Sequence, residues 1–150
     1  MTSEPYFLDS NILIYSVVNG NPQKRLIASE IVKKGLAGSL ELYISPQVLL
    51  EVFSIITSTK KMQIPLPSSD AKRLIEIIVS SKIKLVYPGE KTLSKLLEFI
   101  DKEKPAGARI FGLYIAATMS EYGVKKIYTE NTIDFQGLRG IEPINPFSKL

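Results

Sequence analysis

Hydrophobic and polar residues are arranged along the chain in a pattern that predicts strands and helices in turn. Short apolar runs indicate buried strands, and longer segments with apolar residues three or four positions apart indicate helices. A last short segment, 141–144, contains Pro143 and is expected to be no more than an edge strand. The predicted strands are 6–8, 42–44, 83–86 and 126–129. The predicted helices are 11–18, 22–37, 46–59, 69–81, 91–101 and 108–122.

Local signals mark several helix ends. Ser45 followed by Pro46 is a good N-cap and first-turn pair, so a helix is expected to begin there. Ser68 or Ser69 is a candidate N-cap for the next helix, and Gly123 is typical of the residue just beyond a helix C-terminus. Strands that alternate with helices predict an α/β fold, in which helices cover both faces of a central parallel sheet.

The length and composition fit one globular unit. The chain has 150 residues, and neither a repeat, a low-complexity segment nor a long linker divides it, so we predict a single domain over residues 1–150. The first residues lack the basic segment of a secretory signal, and no apolar run approaches the ~20 residues of a membrane span. The expected compartment is therefore the cytoplasm, with no membrane partner.

The net charge of +4 is compatible with a polyanionic partner, but the lysines are spread along the chain rather than gathered in one segment. Solvated helix faces and strand edges account for most of them. The absence of histidine and cysteine is more informative, because it excludes Ser-His-Asp and Cys-His catalysis, zinc sites and Fe–S clusters. Any bound metal must then have oxygen ligands, which favours Mg²⁺ or Mn²⁺.

Three acids, far apart in sequence, lie in apolar surroundings. Asp9 and Asp134 each follow a predicted strand, and Glu51 lies inside a largely apolar helix. A buried carboxylate is costly unless it is paired or binds a metal. Because ligands of parallel sheets bind at the carboxyl ends of the strands, we expect Asp9, Glu51 and Asn131 or Asp134 to converge there. This arrangement suits a carboxylate metal site with the acids in catalytic and metal-binding roles.

Each of these residues also has a purely structural interpretation. Asp9 is equally suited to cap the helix that follows it, Asp134 can be another cap, and Asn131 can be a turn residue. Glu51 can lie on an exposed flank of its helix, although its apolar neighbours favour a functional role. The chain has no glycine-rich phosphate loop, so a nucleotide-binding α/β domain ranks last among the functions considered.

Taken in order, several segments make the chain similar to the PIN-domain family, particularly the VapC-like ribonuclease toxins of toxin–antitoxin pairs. The resemblance spans nearly the whole chain. No single segment is specific, but their order is characteristic. The matching segments are 7–15, 45–51, 109–118, 128–135 and 140–147.

The resemblance implies a three-layer α/β/α fold and acids that hold Mg²⁺ or Mn²⁺ for hydrolysis of RNA phosphodiesters. Asp9 and Glu51 match the first two acids of the family, Asn131 stands where the family has Asp or Asn, and Asp134 matches the Asp of its Asp-Phe pair. Asn11 and Thr129 lie beside these positions in the matching segments. A homodimer and an antitoxin protein are the implied partners besides RNA.

One position departs from the family pattern, because Gly112 stands where the third acid is expected. Helix propensity gives no reason for glycine there. Three explanations remain open: an introduced inactivating substitution, a lineage that lost catalysis, or a metal shell completed by Asp134 and water. Arg109, one turn earlier, either faces the same cleft and contacts phosphate or is a solvated surface residue.

Two functions therefore stand against each other. The first is a metal-dependent endoribonuclease, attenuated by Gly112, and the alternative is a non-catalytic RNA-binding or protein-interaction module on the same fold. The helices at 46–59 and 69–81 carry more apolar residues than one buried stripe requires. Part of their surface is expected to form a two-fold dimer interface, unless both helices are buried within one chain.

Overall fold

The computed structural model describes residues 4–150, in which five short parallel strands form one sheet between two layers of helices. The predicted three-layer α/β/α architecture is confirmed. A 3₁₀ turn at Thr132–Asp134 follows the fourth strand. The strands are β1 (Tyr6–Leu8), β2 (Leu42–Ile44), β3 (Lys84–Leu85), β4 (Lys126–Tyr128) and β5 (Glu142–Ile144). The helices are α1 (Ser10–Val17), α2 (Pro22–Ala37), α3 (Pro46–Ile56), α4 (Ser68–Val79), α5 (Glu90–Glu103) and α6 (Arg109–Glu121).

The strand order is β3-β2-β1-β4-β5, which places β1 in the centre of the sheet. Phe7 of β1 is level with Tyr43 of β2 on one side and with Ile127 of β4 on the other. The chain moves outward from β1 through β2 to β3 and then crosses to β4 on the opposite side. The strand order therefore reverses at β1, and open α/β sheets bind their ligands beyond the carboxyl ends of the strands at such a point.

The helices pack in two groups. α1 packs against α2 and α3, and α3 packs against α4, while α5 packs against α6. Crossovers between parallel strands are right-handed as a rule, and the chain reverses its direction across the sheet at β1, so these groups lie on opposite faces of the sheet. The strands have both faces covered, which explains their short, continuous apolar sequences. The largest fully buried core side chains are Phe7, Leu8, Ile12, Leu13, Leu42, Ile44, Ile56, Ile78, Leu113, Met119, Ile127 and Phe135.

The helix ends agree with the sequence signals in part. α3 begins at Pro46 with Ser45 in the N-cap position, but the Ser45 hydroxyl makes no capping bond and is buried without a partner among the described residues. Gly123 follows α6 in the left-handed conformation (φ 69°), as expected. The predicted N-cap at Ser68 or Ser69 is wrong. Pro67 is the N-cap of α4, because its extended backbone lets its carbonyl accept a bond from the Ala71 N–H at 3.1 Å.

The apolar surface of α3 and α4 is mostly buried within the chain itself. The exposed exceptions are Leu50 of α3, at 68%, and Ile77 and Val79 of α4, at 49% and 50%. The segment at 141–144 is an edge strand as predicted, since β5 pairs only with β4. Within residues 4–150, no helix combines the length and the apolar character needed to cross a membrane.

Candidate active site

The Asp9 carboxylate lies at the carboxyl end of the central strand, where the backbone turns from β1 into α1. Its Oδ1 accepts a hydrogen bond from the Ser10 N–H at 2.8 Å. Its Oδ2 accepts bonds from the Thr129 hydroxyl at 2.8 Å and the Asn11 side-chain amide at 3.3 Å. Asp9 is therefore both the N-cap residue of α1 and a side chain held from the neighbouring strand. Capping and a functional role do not exclude each other here.

The same hydrogen bonds join α1 to the loop after β4. The Asn11 side-chain oxygen accepts a bond from the Glu130 N–H at 3.0 Å, and its amide lies 3.4 Å from the Thr129 hydroxyl oxygen. That hydroxyl also accepts a bond from the Asn131 N–H at 3.0 Å. Asn11 and Thr129 thus fix the orientation of Asp9 and the start of the loop that carries Asn131.

Burial raises the pKa of the Asp9 carboxyl above its ordinary value of 3.8. The hydrogen bonds from Thr129, Ser10 and Asn11 act in the opposite direction, and the negative charge of Glu51 raises the pKa further. Only 6% of the residue is exposed, so water does little to stabilise the charged form. A cation in this cleft would offset both the burial and the repulsion between the two carboxylates.

Glu51 approaches the cleft from α3, one and a half turns after its start. Its Oε1 accepts a hydrogen bond from the Gln47 amide at 3.1 Å, and the same amide donates to the Phe111 carbonyl oxygen at 3.2 Å. Gln47 therefore links α3 to α6 across the rim of the cleft. Glu51 is partly exposed, so its carboxylate has access to solvent in addition to this bond.

The structure brings four of the predicted residues around one cleft of about 140 Å³ at the carboxyl edge of the sheet. These are Asp9, Glu51, Asn131 and Asp134. Gly112 of α6 also lines the cleft. A Cβ atom at Gly112 would lie 3.7 Å from the Asp134 Cβ, an ordinary contact distance, so the position has room for a side chain. The wall formed by α6 therefore lacks a carboxylate at a position that accepts a Cβ atom.

The oxygen donors around the cleft suit Mg²⁺ or Mn²⁺ in chemical type. In the part of the chain that the structure describes, no three acidic side chains form a group that could hold a metal ion by themselves. Mg²⁺ is usually bound by one or two carboxylates together with water and substrate phosphates. The carboxylates of Asp9 and Glu51 suit an ion held in that way, with Asp134 also in the cleft lining, and they do not suit a closed protein cage.

Arg109 has a different environment. Its guanidinium pairs with Glu103 at 3.0 Å and joins the start of α6 to the end of α5. The neighbouring Ala108 lines the cleft, whereas Arg109 is not among the described residues that line it. This ion pair gives Arg109 a local partner, which sequence reasoning did not identify because Glu103 lies in another helix.

A second cluster, which includes Glu130 beside Asn131, was also missed from sequence. The Lys24 ammonium group pairs with Glu130 and lies 5.0 Å from the centre of the Tyr15 ring and 5.5 Å from that of Phe147. The Tyr15 hydroxyl donates to Glu130 Oε1 at 2.8 Å. Lys24 lies in α2 and Glu130 in the loop after β4, so the cluster fixes this loop from outside. Its members are ordinary polar and aromatic residues that carry no local signal of a shared site.

The sheet and the acid-lined cleft at its switch point define a three-layer α/β/α protein with a carboxylate site. The family described as PIN domain matches residues 6–139, and the chain belongs to this family. No curated protein matches the sequence.

Solved structures of toxin–antitoxin proteins have a similar fold. A chain of VapBC-1 from nontypeable Haemophilus influenzae is similar with a TM-score of 0.65 and 20% identity, over 95% of this chain and 98% of that one. VapBC2 from Rickettsia felis, bound to a promoter DNA fragment, has a TM-score of 0.65 and 19% identity over 94% and 98%. VapC20 of Mycobacterium tuberculosis, a toxin that cleaves the sarcin–ricin loop, has a TM-score of 0.63 and 12% identity over 87% and 92%. At these identities the likeness concerns the fold.

Proposed function

We propose that the protein is a metal-dependent endoribonuclease that hydrolyses RNA phosphodiesters. The observation that carries this proposal is the convergence of Asp9 and Glu51 on one cleft at the switch point of a PIN fold. The buried Asp9 carboxylate and its repulsion by Glu51 both favour an added cation. A bound divalent ion would polarise the phosphodiester and promote formation of a hydroxide nucleophile from water.

The residues of the chain have separate tasks in this proposal. Asp9 and Glu51 hold the ion, and Asp134 and Asn131 complete its surroundings through water or direct contact. Thr129 and Asn11 keep the Asp9 carboxylate in a single orientation through the hydrogen bonds described above. Without a carboxylate at position 112, the ion has fewer protein ligands, and we expect weaker metal binding and attenuated cleavage.

The proposal is tested by cleavage of structured and unstructured RNAs with Mg²⁺ or Mn²⁺. Asp9→Asn and Glu51→Gln should each abolish cleavage, and EDTA should do the same. Asp101→Asn is the matched control, because Asp101 is an exposed acid on α5 that does not line the cleft. Cleavage that survives EDTA and both cleft substitutions would refute the assignment.

The missing acid favours a second candidate function, a non-catalytic RNA-binding or protein-interaction module on the same fold. Gly112 leaves the α6 wall without a carboxylate, and no group of three acids forms in residues 4–150. This function predicts RNA or protein binding that is equal in Mg²⁺ and EDTA, with no cleavage in either. The metal dependence of binding and cleavage therefore separates the two candidates.

The partners follow from the same likeness. We infer that the chain acts as the toxin of a toxin–antitoxin pair, since similar folds occur in toxin–antitoxin structures from Haemophilus influenzae and Rickettsia felis. Growth arrest on expression, relieved by a protein encoded beside the gene, would support this role. Normal growth during expression of a Gly112→Asp variant with demonstrated ribonuclease activity would contradict it.

We also propose a homodimer that uses the exposed part of α4. Ile77 and Val79 are half exposed on this helix, whereas most neighbouring apolar side chains are buried within the chain. Replacing both residues with serine should shift a dimer to a monomer in sedimentation velocity experiments. A monomer at high micromolar concentration before any substitution would refute the dimer.

A further inference from the structure

An apolar groove of about 590 Å³ opens beside the acidic cleft, between α3 and α6. Its size falls in the range of roughly 300–1,000 Å³ that is usual for small-molecule sites. Leu50 and Phe111 project into it while remaining 68% and 58% exposed, so the chain itself does not cover them. The other side chains that shape the groove include Pro46, Ile55, Pro88 and Tyr114.

The groove and the cleft adjoin each other and share two lining residues. Glu51 and Phe111 line both of them, and the Gln47 amide bonds to Glu51 and to the Phe111 carbonyl oxygen at their boundary. A molecule bound at the carboxylates therefore meets an aromatic surface directly beside the reaction site. A ligand bound in the cleft therefore lies close to any ligand bound in the groove.

The groove lining carries one cation, Lys61, and one carboxylate, Glu51, which the proposed function assigns to the metal ion. Lys61 lines the groove on the loop after α3 and is the only basic residue among its described lining. Apart from Glu51, the groove is an apolar surface with one cation. Such a surface matches a nucleotide, which has an apolar ring face and an anionic phosphate. Bases of single-stranded nucleic acids commonly stack on exposed aromatic side chains, while lysines contact their phosphates.

We propose that this groove binds an unpaired base of the RNA adjacent to the phosphate in the cleft, with the base stacked on Phe111. Lys61 contacts a phosphate further along the same strand. The protein then requires single-stranded RNA at its target, because bases within a helix are stacked on one another and do not reach a side pocket. This inference rests on RNA as the substrate of the proposed function.

The direct test is binding of a fluorescent 12-nucleotide single-stranded RNA in EDTA, so that cleavage does not interfere. Phe111→Ala should weaken binding by about tenfold or more. Leu26→Ala is the matched control, because Leu26 is a helical side chain of similar exposure, 67%, that does not line the groove. Equal affinities for these two variants would overturn the subsite.

Two further variants distinguish stacking from a general apolar contact. Phe111→Trp should retain the affinity, while Phe111→Leu should lose most of it, because leucine is apolar but cannot stack. An RNA with one abasic position at the subsite should bind the unmodified protein more weakly than the intact RNA does. The Phe111→Ala variant should bind the abasic and the intact RNA with equal affinity. Leucine and tryptophan variants that bind equally would exclude stacking and refute the proposal.

The lysine assignment has its own control in the neighbouring residue. Lys61→Ala should reduce the slope of log affinity against log salt concentration by about 0.7, the value for one phosphate contact on a single strand. Lys60→Ala should leave the slope unchanged, since Lys60 does not line the groove. Equal slopes for the two variants would overturn the contact between Lys61 and phosphate.

The outcomes separate this inference from the proposed function. RNA binding that depends on Phe111, without cleavage in any divalent metal, would support the subsite and refute the hydrolase. Metal-dependent cleavage that is unchanged by Phe111→Ala would refute the subsite and leave the hydrolase in place. A Phe111→Ala variant that changes from dimer to monomer with unaltered RNA affinity would assign the groove to a second copy of the chain and overturn the proposal.

Discussion

The two walls of the cleft differ in how completely their polar groups are satisfied. On the wall formed by the ends of β1 and β4, Asp9 accepts three hydrogen bonds and the loop at Thr129 is bonded back to α1. On the wall formed by α3 and α6, Glu51 accepts one bond from Gln47, and Gly112 contributes no side chain.

This difference separates what the fold supplies from what individual side chains supply. The strand-end wall follows from parallel pairing of β1 with β4, which brings residues about 120 positions apart to one edge. The helical wall depends on the single bond from Gln47 to Glu51 and on the residue at position 112, which has no side chain. Loss or gain of activity is therefore easiest at position 112 of the helical wall, because a substitution of Gly112 breaks no side-chain hydrogen bond.

The largest effect on activity is expected from adding a carboxylate to the helical wall. Gly112→Asp would place a carboxylate in the cleft beside Asp134, where a Cβ atom meets no contact closer than 3.7 Å. Metal affinity should rise and RNA cleavage should increase more than about tenfold, because each ligand of a catalytic ion contributes strongly to hydrolysis. Calorimetry with Mn²⁺ and cleavage rates at matched metal concentration measure the two effects.

Two controls separate repair of the site from changes in helix stability. Gly112→Asn has nearly the size of aspartate without its charge and should give no gain. The double variant Gly112→Asp with Asp9→Asn should lose the gain as well. Asp and Gly are both poor helix formers, so stability should change little in either case. Equal cleavage by the unmodified chain and Gly112→Asp would show that this position carries no catalytic weight.

A smaller loss of activity is expected from removing one hydroxyl group on the strand-end wall. Thr129→Val keeps the shape of the side chain but removes the hydroxyl that donates to Asp9 and accepts from the Asn131 N–H. Residues that orient metal ligands typically contribute about 10–100-fold to affinity or activity, and this variant should lose a factor near the lower end of that range. It is best measured in the Gly112→Asp background, where the starting rate is highest.

Thr118→Val is the matched control for this loss. Thr118 is equally buried, but its hydroxyl donates only to the Tyr114 carbonyl oxygen within α6. Thr118→Val should therefore leave the rate of RNA cleavage almost unchanged. If both threonine variants lose the same factor, the loss reflects general destabilisation, and the orientation of Asp9 by Thr129 is refuted.

The strand-end wall was also the more predictable of the two walls from the sequence. The strands at 6–8 and 42–44 have the predicted boundaries, since short apolar runs in a parallel sheet are distinctive. The rule that ligands bind beyond strand ends then placed Asp9 and Asn131 at one edge. Sequence also assigned α3 its start at Pro46, but the helix ends at Ile56, three residues before the predicted end. The residues beyond it have no strong stop signal in the sequence.

The remaining features depend on contacts between distant segments. The ion pair of Arg109 with Glu103 and that of Lys24 with Glu130 join different elements, and charge alone does not identify a partner. The groove beside Phe111 arises from the spacing of α3 and α6, which no local pattern encodes. The Ser45 hydroxyl matches a capping signal without making the bond, because the signal specifies the position and not the rotamer.

A pH-dependent effect on stability should report on the buried Asp9. Because burial and Glu51 raise the pKa of Asp9 in the folded state, the folded chain holds a proton at pH values just above 3.8 that the unfolded chain has released. The stability due to this proton is present at low pH and is lost as pH rises through the raised pKa. In EDTA, the Tm of the unmodified chain should fall relative to that of Asp9→Asn across this window, by about 2–4 °C for each kcal/mol lost.

Divalent metal provides the matching control at neutral pH. Adding Mn²⁺ should raise the Tm of the unmodified chain more than that of Asp9→Asn, since only the former has the full ligand pair. A difference in Tm between the two chains that stays constant with pH would contradict the raised pKa. A relative gain in stability of the unmodified chain with rising pH would mean that its carboxylate is stabilised, and not destabilised, by its surroundings.

The smallest effect on stability is expected in the loop after β4, where Lys24 pairs with Glu130. Both side chains are about one-quarter exposed, so solvent weakens the ion pair. Glu130→Gln should lower the Tm by no more than about 2 °C, and the loss should shrink at high salt. Glu76→Gln breaks the more exposed pair with Lys72, where both side chains are over 60% exposed, and should lower the Tm by less.

Because Glu130 adjoins Asn131, hydrogen exchange at the backbone amides of these two residues should also accelerate in Glu130→Gln but not in Glu76→Gln. Unchanged exchange at both amides would show that the Asn11 and Thr129 bonds alone hold this loop.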